Sequence, residues 1–196
     1  MNPASLTLDP TTTALVLIEL QQGIVAMDVH PQSSAEVVSR AKRLAQAFRA
    51  AHAPVVLVTV GGSPDGKDML APIADAAPPP AGARPANWAT VVEELDPQPT
   101  DLRIRKRQWG AFYGTELDLQ LRRRHIRTIV LAGISTNVGV ESTARDAFER
   151  GYEQVFVSDA IASASAEAHA NTMKFTFPRI GRARTTDEVL AALRAG

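Results

Sequence analysis

The sequence predicts a three-layer α/β/α domain on a mainly parallel sheet, and three observations predict it. Uniformly apolar, β-branched runs of four to six residues recur (Ala14–Ile18, Val55–Val60, Thr128–Leu131), without the polar alternation of a half-exposed strand, as expected where both faces are covered. Stretches with apolar residues at helical spacing separate them, so strand and helix alternate along the chain. With 196 residues and 45% hydrophobic content, the chain can bury one sizeable core, and a single domain over residues 1–196 is the expectation.

Taken in order, Ala14–Ile18 ends on Glu19, which puts a carboxylate at the carboxyl end of a buried strand. Leu20 continues the apolar run, favouring a Glu held in the protein over one that simply reaches solvent. Gln21, Gln22 and Gly23 turn the chain. Ser33-Ser-Ala-Glu36 matches a capping box, and Val37, Ala41, Leu44, Ala45 and Phe48 form the apolar face of the helix it starts. Pro54 stops that helix, and Val55–Val60 completes a βαβ unit, which implies parallel pairing.

From Gly61 to Pro99 the composition changes and most of the prolines gather, including Pro78-Pro-Pro80, with Gly82, Pro85, Pro97 and Pro99. This long connection over residues 61–100 leaves the carboxyl end of a strand, on the side where a site should lie, and is a candidate lid. Trp88 either belongs to that lid or anchors it to the body.

Asp101–Arg105 alternates like a strand and delivers Lys106 to its end; a lysine there is either solvated or functional. Thr115 can cap the next helix, with Leu117 and Leu121 one turn apart, although Leu117, Leu119 and Leu121 also alternate as in a strand. Arg122-Arg-Arg124 fits a solvated helix end better than a nucleic-acid patch. Thr128–Leu131 is the next strand, ended by Gly133. Val140, Ala144, Ala147 and Phe148 then make the stripe of a helix that begins near Asn137 and closes at Gly151, where a left-handed cap is wanted. Ser135, Thr136, Asn137 and Gly139 either line the crevice at that helix start or serve only as capping and turn residues.

Val155–Val157 is another apolar run, followed by Asp159; the small-residue stretch Ala160–Ala170 leads into a helix containing His169, a lone histidine more in keeping with structure than catalysis. Arg182–Thr185 suits a short edge strand. Thr185-Thr-Asp-Glu188 caps a last helix carrying Val189, Leu190 and Leu193.

Composition narrows the chemistry. Lys+Arg and Asp+Glu balance at 21 each, which gives no support to a nucleic-acid or membrane-surface partner. Zero cysteines removes disulfides, thiolate metal sites and any cysteine nucleophile. The N-terminal Met1–Asp9 stretch has neither a basic nor an apolar leader region, and no run approaches a membrane span, so a cytoplasmic protein is expected. His30, His52, His125 and His169 are scattered without ligand spacing, and no G-x-G-x-x-G or Walker pattern occurs, so neither metal nor nucleotide cofactor is expected. Three strands are left to deliver polar groups to one edge: Glu19, Lys106 and the turn Ile134–Gly139. A carboxylate beside an ammonium can move a proton, while Ser135, Thr136 and Ser142 lack a histidine placed to activate them.

These three stretches together resemble the isochorismatase-like hydrolase superfamily, over about Thr12 to Leu193. Leu17-Ile-Glu19-Leu-Gln21 resembles its strand-end motif of hydrophobics, Asp, an apolar residue and Gln. Lys106-Arg-Gln-Trp-Gly110-Ala-Phe112, with Gly114-Thr-Glu-Leu117 behind it, resembles its Lys motif. Gly133-Ile-Ser-Thr136-Asn137-Val-Gly139-Val140 resembles its Gly-Val-x-Thr-Asn-x-Cys-Val turn. The resemblance implies a Rossmann-like fold, Glu19 in the place of the general acid/base Asp, and Lys106 in that of the catalytic Lys. It also implies a cis peptide before Ser135 and a pocket of backbone donors around Ile134, Ser135, Asn137 and Gly139, with Trp109 beside the substrate.

The departures bear on the reaction. Gly139 stands where thiol-dependent members carry their nucleophile, which argues against thioester chemistry; isochorismatases resemble this chain there, because vinyl-ether hydrolysis needs only proton transfer and attack by water. Ser135-Thr-Asn137 is instead the amide-hydrolase form of the turn. Glu for Asp moves the carboxylate by roughly an ångström, a displacement that can cost about a hundredfold in rate, and Ile24 stands where several amide hydrolases have Phe. The expectation is a cysteine-independent hydrolase of a small anionic or vinyl-ether substrate, working as a homo-oligomer. A non-catalytic small-molecule-binding homo-oligomer and an amide hydrolase with an unusual nucleophile are the alternatives.

Overall fold

The computed structural model describes residues 6–75 and 84–194; Pro78–Pro80 and Gly82 of the long connection, and the first five residues, lie outside the described residues. Strand β1 (Thr13–Ile18) is followed by the single-turn helix α1 (Gln22–Val25), helix α2 (Ser34–Ala50) and strand β2 (Val55–Val60). After the long connection come β3 (Leu102–Lys106), α3 (Leu117–Arg123), β4 (Thr128–Ile134), a π-helical turn over Thr136–Val140, and α4 (Glu141–Glu149). The chain ends with β5 (Glu153–Ala162), α5 (Ala166–Asn171), a second π-helical turn, α6 (Phe177–Ile180), β6 (Arg182–Arg184) and α7 (Thr186–Arg194). The six strands are all parallel, in the order β3-β2-β1-β4-β5-β6. This is the Rossmann-like order, with its reversal point between β1 and β4.

The unbroken apolar runs follow from two cores, one on each face of the sheet. Along β1, Leu15 and Leu17 pack with Val37, Leu44 and Phe48 of α2 and with Val189 and Leu193 of α7. The alternate residues Ala14, Val16 and Ile18 pack with Leu117 and Leu121 of α3, Val140 and Ala144, and the Phe156–Phe177 stack. Side chains alternate across a strand, so a strand with a core on either side is apolar at successive positions where both faces are covered.

Local signals set several boundaries. The Ser33 hydroxyl accepts from the Glu36 N–H while the Glu36 carboxylate accepts from the Ser33 N–H, so the capping box forms. Thr185 and Glu188 make the same reciprocal pair at α7. Leu119 is exposed while Leu117 and Leu121 are buried, which resolves the competing patterns in favour of a helix; the Thr115 hydroxyl accepts from the Leu117 N–H. Gly151 takes φ 79 just beyond α4, as the expected cap requires.

Four expectations are corrected. Gln21–Gly23 is no simple turn, because Gln22 opens α1. Gly133 does not end β4: the strand runs on to Ile134, with a register shift against β5 between Leu131 and Gly133. β5 runs past Val157 and Asp159 to Ala162, because Ile161 and Ala162 pair with Gly133 and Ile134 at that shifted end of β4, and the helix containing His169 follows only at Ala166. Phe148 is 53% exposed although Val140, Ala144 and Ala147 are fully buried. Eight residues of helix carry it about 80° round from Val140, off the buried stripe.

Gly133 matters for what lies beyond it. It pairs with Ile18 across β1 and β4, at φ 126, and a Cβ there would run into the Ile18 backbone. Only glycine lets the two strands lie this close where both end at the site. Gly133→Ala is therefore expected to cost on the order of 3 kcal/mol or more in urea unfolding. Gly151→Ala, also at positive φ but with nothing within 4 Å of the added Cβ, should cost only about 1 kcal/mol. Equal losses would show that the close approach is not what Gly133 serves.

Candidate active site

Three strand ends meet at the reversal point. Ile18 pairs with Val58 and with Gly133, and Val58 pairs with Ile104, so these residues lie at one level across the sheet. Glu19 is one residue beyond that level and Lys106 two. Glu19 leaves β1 at φ 54, with its N–H bonded to the Val58 carbonyl. That left-handed step turns its side chain across the end of β2 toward β3, where Lys106 comes the other way. Glu19 Oε1 and Lys106 Nζ stand 2.5 Å apart, and the Lys106 ammonium also donates to the Trp109 carbonyl.

The pair is dry on one side. Lys106 is fully buried and Glu19 is 7% exposed. Burial pushes the Glu19 carboxyl above its ordinary value and the Lys106 ammonium below its own, and each partner's charge pulls back against the shift. Ionised and neutral forms of the pair are thereby brought closer in energy than in water, so a proton can pass to or from Glu19 at modest cost.

Gly139 completes the contact. It is buried in the π-helical turn, and a Cβ on it would sit 2.9 Å from Glu19 Oε1 and 3.1 Å from Lys106 Nζ. The other turn residues are disposed differently. Ile134 is wholly buried in one core, and its peptide bond to Ser135 is cis. The Ser135 carbonyl accepts from the N–H groups of Val138 and Val140. Asn137 is tied away from the pair, its Oδ1 accepting the Ser163 hydroxyl at 2.5 Å. Glu19, Lys106, Gly139 and the Trp109 backbone thus come together, while Ile134, Ser135 and Asn137 form the turn behind them.

A cavity of about 710 Å³ opens above Glu19. Trp109, Tyr113 and Arg107 form one wall, Val138, Ser142 and Asp146 another, and Met69, Leu70, Pro72, Arg84 and Trp88 of the long connection a third. Trp88 resolves as both anchor and wall. Its ring lies over Gly23, leaving no room for a side chain there, and its carbonyl accepts from the Gly23 N–H and from Gln21 Nε2. Arg107 holds the nearer part of the connection through Asp68, at 2.9 Å; the Ser63 N–H and the Arg107 guanidinium keep the Asp68 carboxyl far below the usual carboxylate range.

Of the supporting residues, Gln21 belongs to the strand-end motif and His169 reads as structural in the sequence, while Thr143 has no distinctive spacing there. Gln21 accepts from the Val60 N–H and donates to the Val60 carbonyl, clamping the end of β2 to the Trp88 segment. Thr143 donates to the Gly139 carbonyl and accepts from the Ala111 N–H, joining the turn to the segment after Lys106. One expectation about the turn hydroxyls is corrected: a histidine does reach one of them, His169 standing 2.8 Å from the Thr136 hydroxyl and shifted toward its neutral form by desolvation, but both are buried outside the cavity lining and brace the turn. Among the described residues, no three His, Asp or Glu side chains are grouped so as to hold a metal ion, and no helix is long and apolar enough to cross a membrane.

A buried carboxyl–ammonium pair at the carboxyl edge of a parallel sheet, beside an open cavity, makes this the candidate small-molecule site. The isochorismatase domain model matches residues 13–188, and the chain belongs to that family of hydrolases. It is 52% identical over 188 residues to the Escherichia coli O157:H7 protein described as an uncharacterized isochorismatase family protein, YecD, covering 96% of this chain and 100% of that one. It is 32% identical over 190 residues to the ureidoacrylate amidohydrolase RutB of Methylobacterium radiotolerans, covering 85% and 73% of the two chains. The solved structure of an isochorismatase family protein from Burkholderia thailandensis superposes with a TM-score of 0.92 at 46% identity, covering 97% of this chain and 100% of that one.

The opposed causes at Glu19 yield a signed expectation. Carbon-13 NMR should find its carboxyl titrating above the ordinary 4.5, and Lys106→Met, which removes the countering charge, should raise it further. The folded state then holds this proton more tightly than the unfolded state. Its contribution to stability therefore falls as pH rises from 4.5 through the raised value, over a wider pH range in the variant. An unshifted titration in Lys106→Met would contradict the coupling.

Proposed function

We propose that this chain hydrolyses a small anionic substrate of the vinyl-ether, isochorismate type by acid–base chemistry, without a covalent intermediate. The observation that carries the reading is the occupancy at position 139: the glycine offers no nucleophile, the chain has no cysteine, and the Glu19 carboxyl and Lys106 ammonium fill the space instead. Glu19 in its protonated form gives its proton to the terminal carbon of the double bond, and positive charge develops on the carbon bearing the ether oxygen. Water adds to that carbon and loses a proton to the Glu19 carboxylate. The resulting hemiketal collapses to a ketone and an alcohol, so that one water is consumed and the acid is regenerated. Lys106 keeps the carboxylate stable while it lacks the proton.

The cavity chemistry is in keeping with such a substrate. Arg84 lies 4.2 Å over the Trp88 ring, and Trp109 and Tyr113 share the lining, so one guanidinium and three aromatic rings offer contacts to a flat, unsaturated carboxylate. The same pair could also activate water against an amide. The name of the 32%-identical relative, ureidoacrylate amidohydrolase, favours this as the second reading.

Parallel panels of enol-ether carboxylates and of small amides, assayed with the native protein, separate the two. Turnover in the enol-ether panel is expected, with kcat/KM lowered about 10²–10⁴-fold in Glu19→Gln and in Lys106→Met. Turnover confined to amides would favour the second reading. Rates unchanged in both variants would remove Glu19 and Lys106 from the mechanism.

A further inference from the structure

A Cβ built on Gly139 would meet three neighbours: Glu19 Oε1 at 2.9 Å, Ile18 Cγ2 at 2.9 Å and Lys106 Nζ at 3.1 Å. All three distances are shorter than ordinary van der Waals contact between such atoms. Ile18 is fully buried in a strand paired on both sides, so its methyl has little freedom to withdraw. The two groups able to yield are the far ends of Glu19 and Lys106, which are the ion pair itself.

The Glu19 side of the contact is equally constrained. Its backbone is fixed by the left-handed step out of β1 and by the bond from its N–H to the Val58 carbonyl. From that fixed point, the second methylene of the side chain carries the carboxylate over Gly139. A shorter acid would stop about one carbon–carbon bond earlier, roughly 1.5 Å, and a side chain at 139 would stop the longer one.

We propose that Gly139 is a positioning residue for the acid–base pair: the space left by its missing side chain is where the Glu19 carboxylate meets Lys106, so acid length at 19 and side-chain size at 139 form one coupled choice. The proposal rests on the reading of Glu19 and Lys106 as the working pair. Its consequence is directional. Any side chain placed at 139 pushes the carboxylate off Lys106 unless the acid is shortened as well. A thiol added alone shares its space with a carboxylate, which disfavours the thiolate. Added together with a shorter acid, it takes the vacated place and faces the Lys106 ammonium, which favours the thiolate.

Because the chain contains no cysteine, Gly139→Cys introduces a single thiol whose reaction with iodoacetamide across pH reports its surroundings without any turnover. In Gly139→Cys the pH midpoint should lie above the ordinary thiol value of about 8.5. In Gly139→Cys with Glu19→Asp it should lie below that value, with alkylation at neutral pH at least about tenfold faster. Adding Lys106→Met to the double variant should send the midpoint back up, which a purely structural role for position 139 would not do. Equal midpoints in the single and double variants overturn the proposal.

Should Gly139→Cys fail to fold, the melting temperatures of Gly139→Ala, Glu19→Asp and their combination decide the matter. The combination should melt higher than Gly139→Ala alone, and strictly additive losses overturn the proposal. The thiol readout is independent of substrate, so unchanged turnover in Glu19→Gln would end the functional reading and leave the steric coupling standing. Equal thiol midpoints alongside the expected turnover losses would do the reverse.

Discussion

A buried carboxyl and a buried ammonium stand 2.5 Å apart at the carboxyl edge of the sheet, and much of the surrounding structure is arranged to make that contact available. Two charges taken out of water are costly, and removing one partner of such a pair typically destabilises by about 3–5 kcal/mol because the other is left unmatched. The pair is therefore a poor device for stability. It is a good one for chemistry, since burial draws the acid and the amine toward a common proton affinity while their attraction keeps either from being lost to the neutral form.

The parallel sheet supplies the geometry. With every strand running the same way, all carboxyl ends share one edge, and the order of strands opens a crevice between β1 and β4. Glu19 turns out of β1 across the end of β2, Lys106 reaches in from β3, and the turn after β4 closes from the other side with a glycine where a side chain would intrude. Gln21 and Thr143 fasten the flanking segments, and Trp88 is held in the cavity wall through its contacts with Gln21 and Gly23.

The fold was legible because its strands carry cores on both faces. Leu15 and Leu17 point one way and Val16 and Ile18 the other, which is why the run Ala14–Ile18 is apolar throughout. Boundaries written in side-chain chemistry, such as Ser33 with Glu36 and Thr185 with Glu188, were legible too. Boundaries that depend on a neighbour were not: β4 passes through Gly133, and β5 takes in Ala160 to Ala162, because the strands beside them allow it. Phe148 shows the limit of periodicity at a helix edge. At the site, Glu19, Lys106 and Gly139 could be named from motif and strand-end position. Their mutual contact could not be derived from spacing, since it depends on a strand order that places β2 between the acid and the amine. His169 was legible as a structural histidine but its partner Thr136, 33 positions away, was not, and Thr143 gave no signal, its partner Ala111 lying 32 positions away.

The central claim is that the buried pair performs hydrolysis with water alone. An unbiased screen of small metabolites, read by mass spectrometry with the native protein beside Glu19→Gln, tests it most directly. The account predicts a small anionic compound converted to products that together contain one added water, by the native protein and not by the variant. Conversion of the same compound at the same rate by Glu19→Gln would contradict it.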